Sequence, residues 1–321
     1  MGIKSLFHLN HATWQAATSL LFLFFCLVSS ARAQDIVKEA LSSFPPQTLR
    51  LEYSRPAKLR ELPDYQSLRK RYAGEGLRSL EASLSKLGIE EESIDELVLG
   101  WQAGGTGMTL EGLAGGHFNP GDMARRASVQ KLQPVPVSDF KAYCFGEELT
   151  STCVVALDQT RGAFGPLSAL TALVDARQGT GPSLSSDSRF TALVNDAHSD
   201  APIWGAAIGQ AVADWFKGWM PGQQEVELDW SKAFQTVESL SYSVDTADKA
   251  RLNMKLNCTT VQDAANLRQV FSGLKMFQQL AWQNKNPGRP NPFESLAIDA
   301  RDRDVLLTLT TAYTALEGAA L

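Results

Sequence analysis

The sequence predicts an α+β protein: antiparallel sheets built from β-hairpins, helices packed on one face, and two related half-domains. Three observations predict it. Short runs of alternating or β-branched residues come in pairs joined by Gly- or Asp-containing turns, the mark of hairpins rather than of parallel crossovers. Between the pairs the apolar spacing becomes helical. The order strand, helix, hairpin, helix, hairpin, helix is then read twice, with a period of roughly 120–150 residues that is too long for a solenoid. At 321 residues and 44% apolar, the chain is long enough for this arrangement. Residues 1–33 are expected to be a leader, 34–197 the first half-domain and 198–321 the second.

The elements follow in order. Asp35 to Ser42 is a short polar helix, Phe44-Pro45-Pro46 punctuates the chain, and Leu49 to Tyr53 alternates as a strand. Pro63 opens a helical stretch from Asp64 to Lys86, broken near Gly74 and Gly76. Ile94 to Trp101 and Met108 to Phe118 form a hairpin around Gly104-Gly105-Thr106-Gly107. Asn119-Pro120-Gly121-Asp122 starts a helix that runs to Gln130, with proline at its permitted first turn. A second hairpin joins Phe140–Phe145 to Thr152–Leu157, and helices follow from Leu167 to Asp175 and from Arg189 to Asn195. The second half reads Pro202 to Ile208 as a strand, Gln210 to Trp219 as a helix, and Val237–Val244 with Ala250–Cys258 as a hairpin. Val261 to Gln283 is the strongest helix, with Leu267, Val270, Phe271, Leu274, Phe277 and Leu280 read along one face. Leu296–Ala300 with Val305–Leu309 is the last hairpin, and a helix begins near Ala312.

The first residues read as a secretory signal. Lys4 is its positive charge, Leu20 to Val28 its apolar region, and Ala31-Arg32-Ala33 a cleavage site that would make Gln34 the first mature residue. The apolar run is too short to cross a bilayer core of roughly 30 Å, so no integral membrane segment is expected after cleavage, and the protein is expected to be secreted or periplasmic. Cleavage leaves His117 and His198 as the histidines and Cys144, Cys153 and Cys258 as the cysteines. Two distant histidines are a thin supply for a metal site, so neither metal nor cofactor is expected. If the second hairpin turns between Glu148 and Leu149, Cys144 and Cys153 face each other across its strands. A disulfide is then within reach in an oxidising compartment, the alternative being three buried thiols. The net charge of −5 excludes nucleic acid as a partner of the whole surface. Charge is nonetheless uneven: Arg50 to Lys86 is basic, Leu87 to Asp122 acidic, and the two blocks are expected to pair.

The stretch Phe44-Pro45-Pro46-Gln47-Thr48-Leu49-Arg50-Leu51-Glu52-Tyr53, followed by Leu59-Arg60-Glu61-Leu62-Pro63-Asp64-Tyr65-Gln66-Ser67-Leu68-Arg69, resembles the opening of certain uncharacterised exported bacterial proteins. Those share a signal peptide, a Pro-led strand and a helix introduced by Leu-Pro-x-Tyr-x-x-Leu. The resemblance implies an exported α+β architecture and supplies no catalytic residues.

No catalytic constellation is predicted. Ser-x-x-Lys occurs as Ser83-Lys86, Ser128-Lys131 and Ser272-Lys275 without its companion Lys-Thr-Gly. If a hydrolytic site exists, His117 with Glu111 and Asp122 is the place to look, because a histidine beside carboxylates can perform acid–base work. Val212, Trp215, Phe216 and Trp219 share one helical face, which is either core or a docking surface. Trp204, Trp215 and Trp219 could alternatively wall an apolar cavity between the halves. The expected function is an exported, non-catalytic binding or scaffold module that contacts a protein or cell-envelope component. A hydrolase at His117 and a carrier of an apolar ligand are the alternatives.

Overall fold

The computed structural model describes residues 36–62, 65–72, 75–104, 107–146, 152–219, 229–313 and 315; the leader and its cleavage site lie outside them. Twelve strands form one continuous antiparallel sheet. They are β1 (Thr48–Ser54), β2 (Ile94–Gly104), β3 (Gly107–Gly116), β4 (Pro134–Val137), β5 (Phe140–Phe145), β6 (Thr152–Ala156), β7 (Arg161–Gly165), β8 (Ile203–Ile208), β9 (Val237–Asp245), β10 (Ala250–Cys258), β11 (Ala297–Arg301) and β12 (Asp304–Thr311). Their order across the sheet is β11-β12-β10-β9-β8-β1-β2-β3-β7-β6-β5-β4. The protein is therefore a mixed α+β fold. At its centre β1 and β8 pair antiparallel, Arg50 opposite Ala207 and Tyr53 opposite Trp204. Outward from that seam, the strand order is β1-β2-β3-β7-β6 on one side and β8-β9-β10-β12-β11 on the other.

Alternation sends neighbouring side chains to opposite faces, and both faces are used. On one face Leu51, Tyr53, Val98, Leu113, Ala163 and Trp204 bury against α1 (36–43), α6 (Leu167–Arg177) and α7 (Ser188–Ala197). On the other, β3, β6 and β7 contribute Ala114, Val154 and Phe164 beneath α4 (Glu75–Lys86) and α5 (Pro120–Val129). Next to them on that face, Leu240, Tyr242, Met254, Leu256, Val305 and Leu307 lie under α8 (Gln210–Trp219), α9 (Trp230–Ala233) and α10 (Val261–Lys285). This corrects the expectation of helices on a single face. The reason is visible in the strands: β1 offers Leu51 and Tyr53 to one side, whereas β9 offers Leu240 and Tyr242 to the other, and each side needs its own cover. On the first face β9 turns Ser239, Ser241 and Ser243, half-buried, toward the side that α7 occupies, whereas Asn253 and Lys255 of β10 are exposed.

The hairpins expected from sequence form. Cys144 pairs with Cys153 across β5 and β6, and the two are joined in a disulfide. The strands β4 and β7 were not anticipated. β4 carries proline at two of its four positions, and β7 carries glycine at two of its five. Both ends of the sheet are blunt: β4 contains two prolines, and β11 is a five-residue strand with exposed Asp299 and Arg301.

The charge blocks pair as expected. Arg60, just after α2 (Pro56–Leu59), lies 3.8 Å from Asp95, and its Nη1 donates to the carbonyls of Glu91 and Ile94 at 3.0 Å. Arg69 of α3 (Tyr65–Tyr72) reaches Glu91 at 3.2 Å, and Tyr65 donates to the same carboxylate. These contacts fasten the first helices to the start of β2.

Candidate functional site

The strands place the expected acid–base residues apart. Glu111, in the middle of β3, is fully buried on the face covered by α1. His117 lies past the end of β3, 87% exposed, with Nδ1 3.7 Å from Asp95. Asp122 sits in the first turn of α5, where it binds Arg125 and accepts from Arg126 at 3.0 Å. Six residues of strand separate Glu111 from His117, about 20 Å at the usual rise. No shared substrate atom lies within hydrogen-bonding reach of both, so this trio does not assemble an acid–base site.

Glu111 is unusual for another reason. Its Oε2 has no partner, and its Oε1 lies 3.3 Å from Thr48 Oγ1. Thr48 has a single hydroxyl proton, and it donates at 2.8 Å to the Pro45 carbonyl. That proton is shared with Glu111 Oε1, to which Thr48 Oγ1 is the more distant donor. Burial pushes the Glu111 carboxyl up to about 8, opposed by the Thr48 hydrogen bond. It is a neutral acid sealed beneath the α1–β1 turn.

The tryptophan-bearing helix also takes a different role from a docking surface. Val212, Trp215 and Phe216 of α8 are buried; the Trp219 side chain lies outside the described residues. Phe216 stacks on Phe234 at 4.3 Å and approaches Phe271 at 5.6 Å, and Trp215 meets Tyr242 at 5.0 Å. Burial leaves Val212, Trp215 and Phe216 no surface with which to dock anything. Nor do the tryptophans wall one cavity. Trp204 stacks on Tyr53 on one face of the sheet, whereas Trp215 donates its indole N–H at 2.9 Å to Glu52 on the other.

Glu52 gathers the polar cluster of that second face. It accepts from Arg50 Nη2 at 2.7 Å, from Trp215 Nε1, and from the Tyr242 hydroxyl. Arg50 in turn lies over the Trp101 ring, 3.9 Å from its centroid. Burial, then the Glu52 charge, hold the Tyr242 hydroxyl well above its ordinary range, so it remains a donor. Each of these polar groups is committed to its neighbours, an arrangement that fixes β1 to α8 and β9. Across the sheet, Arg55 Nε donates to Tyr53 Oη at 3.0 Å, which donates to Glu96 at 2.7 Å. The buried Cys258 thiol is pushed up to about 11 by burial and by nearby carboxylates, the reverse of an activated nucleophile. Among the described residues no group of His, Cys, Asp and Glu could hold a metal ion.

The surface feature that sequence reading missed is on α10. Its buried side is Ala264, Leu267, Phe271 and Trp282. Val270, Met276, Phe277 and Leu280 are instead 37%, 62%, 41% and 54% exposed, so the single stripe read from sequence is two stripes on opposite sides. The outer side also carries Gln262, Asn266, Gln269, Gly273, Gln283 and Asn284, all exposed. Between Asn266 and Asn284 this row carries no charged residue; Asp263 precedes it in the first turn, held by Thr260, and the exposed Arg268 and Lys285 lie off it. Apolar side chains open to solvent along a helix depart from the usual amphipathic pattern.

No protein-family model and no curated protein matches the chain. A solved structure of TP0453, a bacterial protein, in its crystal form I is similar with a TM-score of 0.50 at 8% identity, over 87% of this chain and 95% of that one. Crystal form IV of the same protein gives 0.45 at 8% identity, over 86% and 95%. At 8% identity this likeness shows the fold alone. No helix among the described residues is long and apolar enough to cross a membrane.

Proposed function

We propose that this chain is an exported, non-catalytic binding or scaffold module of the periplasm or cell envelope, and that the outer side of α10 is its binding surface. The observation that carries this reading is that helix face with Val270, Met276, Phe277 and Leu280 open to solvent. None of the four belongs to the buried cluster beneath α10, and exposed apolar patches mark interaction sites. The disulfide and the signal-like leader support export, with Gln34 as the mature N-terminus. We also propose that the halves at 34–197 and 198–321 descend from one duplicated unit. Each runs strand, helix, hairpin, helix, hairpin, and the β4–β5 hairpin is an addition to the first.

The test is photo-crosslinking in living cells from position 276, with position 308, on the exposed β12 surface, as control. A discrete adduct from 276 and none from 308 is expected, and protein recovered from the envelope fraction is expected to begin at Gln34. No adduct from 276 overturns the binding reading, and recovery of a chain that still begins at Met1 from the cytosol overturns export.

A further inference from the structure

We propose that the occupant of this α10 face is a second copy of the same chain, paired helix to helix and antiparallel about a two-fold axis at Lys275. The proposal rests on the binding reading above and names its partner. Asn266, Val270, Gly273, Phe277, Leu280 and Asn284 recur at alternating spacings of four and three residues, the 3.5-residue seam of paired helices. The seam is symmetric about its midpoint. For each member before Lys275 there is one equally far after it: Gly273 with Phe277, Val270 with Leu280, Asn266 with Asn284. In an antiparallel pair these are the residues that meet.

The meeting is complementary in shape. Gly273 lies mid-helix, where glycine costs roughly 0.5–1 kcal/mol relative to alanine, and nothing stands within 4 Å of where its Cβ would be. The second copy's Phe277 fits over that gap, and its Gly273 receives Phe277, so the contact occurs twice, as a closed two-fold interface requires. Val270 meets Leu280 on either side, and the Asn266–Asn284 pairs close the ends with hydrogen-bonding groups that fix register.

Charge points to the same partner. Two copies of a chain with net charge −5 repel; between Asn266 and Asn284 the row brings no like charges together, and an antiparallel pairing sets the two copies' Asp263 at opposite ends. Lys275, level with the midpoint, projects from the opposite side of the helix, its Nζ donating at 2.5 Å to the Leu296 carbonyl. A lipid surface would favour Lys and Arg beside the apolar residues, and it has no use for the gap at Gly273. One helix pair about 27 Å long buries less than a standard interface, so a dissociation constant on the order of 1–100 µM is expected.

The test is sedimentation equilibrium of the full-length protein from 1 µM to 500 µM (roughly the range that brackets such a constant), with circular dichroism to verify folding of each variant. Wild type is expected to pass from monomer to dimer, and Leu280→Glu to weaken the dimer by at least about thirtyfold, as a buried unpaired charge does. Val270→Lys with Leu280→Glu in one chain is expected to recover most of that loss, because an antiparallel pair sets Lys against Glu twice. A wild type that stays monomeric throughout, a dimer indifferent to Leu280→Glu, or a double variant weaker than the single one each overturns the proposal; the last outcome identifies a parallel pair. A monomer whose position-276 adduct contains a different protein sinks self-pairing and leaves the binding reading standing, whereas a monomer that forms no adduct sinks both. Binding of the monomer to anionic vesicles, abolished by Leu280→Glu, would make the face a membrane surface and likewise overturn self-pairing.

Discussion

Tyr242 lies directly over Gly205, so close that a Cβ on Gly205 would come within 2.8 Å of its ring. The two residues face each other across the β8–β9 ladder, and the empty space at 205 is what lets the Tyr242 hydroxyl reach Glu52 of β1, one strand further on. Gly205→Ala is expected to displace the ring and cost about 1–3 kcal/mol through overpacking and the strained hydrogen bond. Urea denaturation measures the loss. Tyr242→Phe, which keeps the ring and removes the hydroxyl, is expected to cost about 1–2 kcal/mol.

Glu111 makes stability depend on pH in an unusual direction. Burial pushes its carboxyl up to about 8 in the folded protein, against an ordinary value of 4.5, so between these the folded state holds a proton that the unfolded state has released. Its contribution is fully present below about 4.5 and is lost as pH rises through about 8, at close to 1.4 kcal/mol per pH unit in between. Urea midpoints for wild type are expected to fall from pH 5 to pH 8. Glu111→Gln, neutral at every pH, is expected to flatten that slope. An equal slope in the variant would assign the effect elsewhere.

The disulfide closes a short loop at the edge of the sheet. Replacing Cys144 and Cys153 together with serine is expected to cost about 2–3 kcal/mol by releasing loop entropy to the unfolded chain. Thermal melts with and without reductant check this: reductant should lower the wild-type midpoint and leave the variant unmoved. Cys258, buried and with its thiol pushed up to about 11, is expected to resist alkylation at pH 8 until the protein is unfolded.

Thr260 caps α10. Its Oγ1 accepts from the Asp263 amide at 3.1 Å and donates to the Asp263 carboxylate at 2.6 Å. Thr260→Ala is expected to cost about 1 kcal/mol, read by chemical denaturation, without altering the outer side of the helix.

Much of this fold can be read from the chain because its hairpins are local. Cys144 and Cys153 could be set opposite each other in advance, on the condition of a hairpin centred between Glu148 and Leu149, though not whether they bond. The cover on both faces could not, because it depends on where β1 and β9 meet within one sheet. α10 misled for a related reason: Leu267 and Phe271 follow the core at a period near 3.6, while Val270, Gly273, Phe277 and Leu280 follow 3.5. Because apolar residues three and four apart fit either row, the spacing alone did not tell the buried side from the outer one. Glu111 did carry a signal, since strict alternation along β3 sets it on the same face as Leu113. A carboxylate there had to be either buried or turned out by a bulge, and β3 has no irregularity at that point. The Glu52 cluster had no such sign, because Trp215 and Tyr242 reach it from elements more than 160 residues away.

The prolines of β4 and the abbreviated, charged β11 have a consequence for how copies of this protein can add to one another. The prolines deprive β4 of amide donors, and β11 is short and charged, so strand-by-strand growth into ribbons or fibrils is disfavoured at both margins. Any higher-order array must be assembled through side chains presented by the helical layer, where a single residue can tune or abolish it.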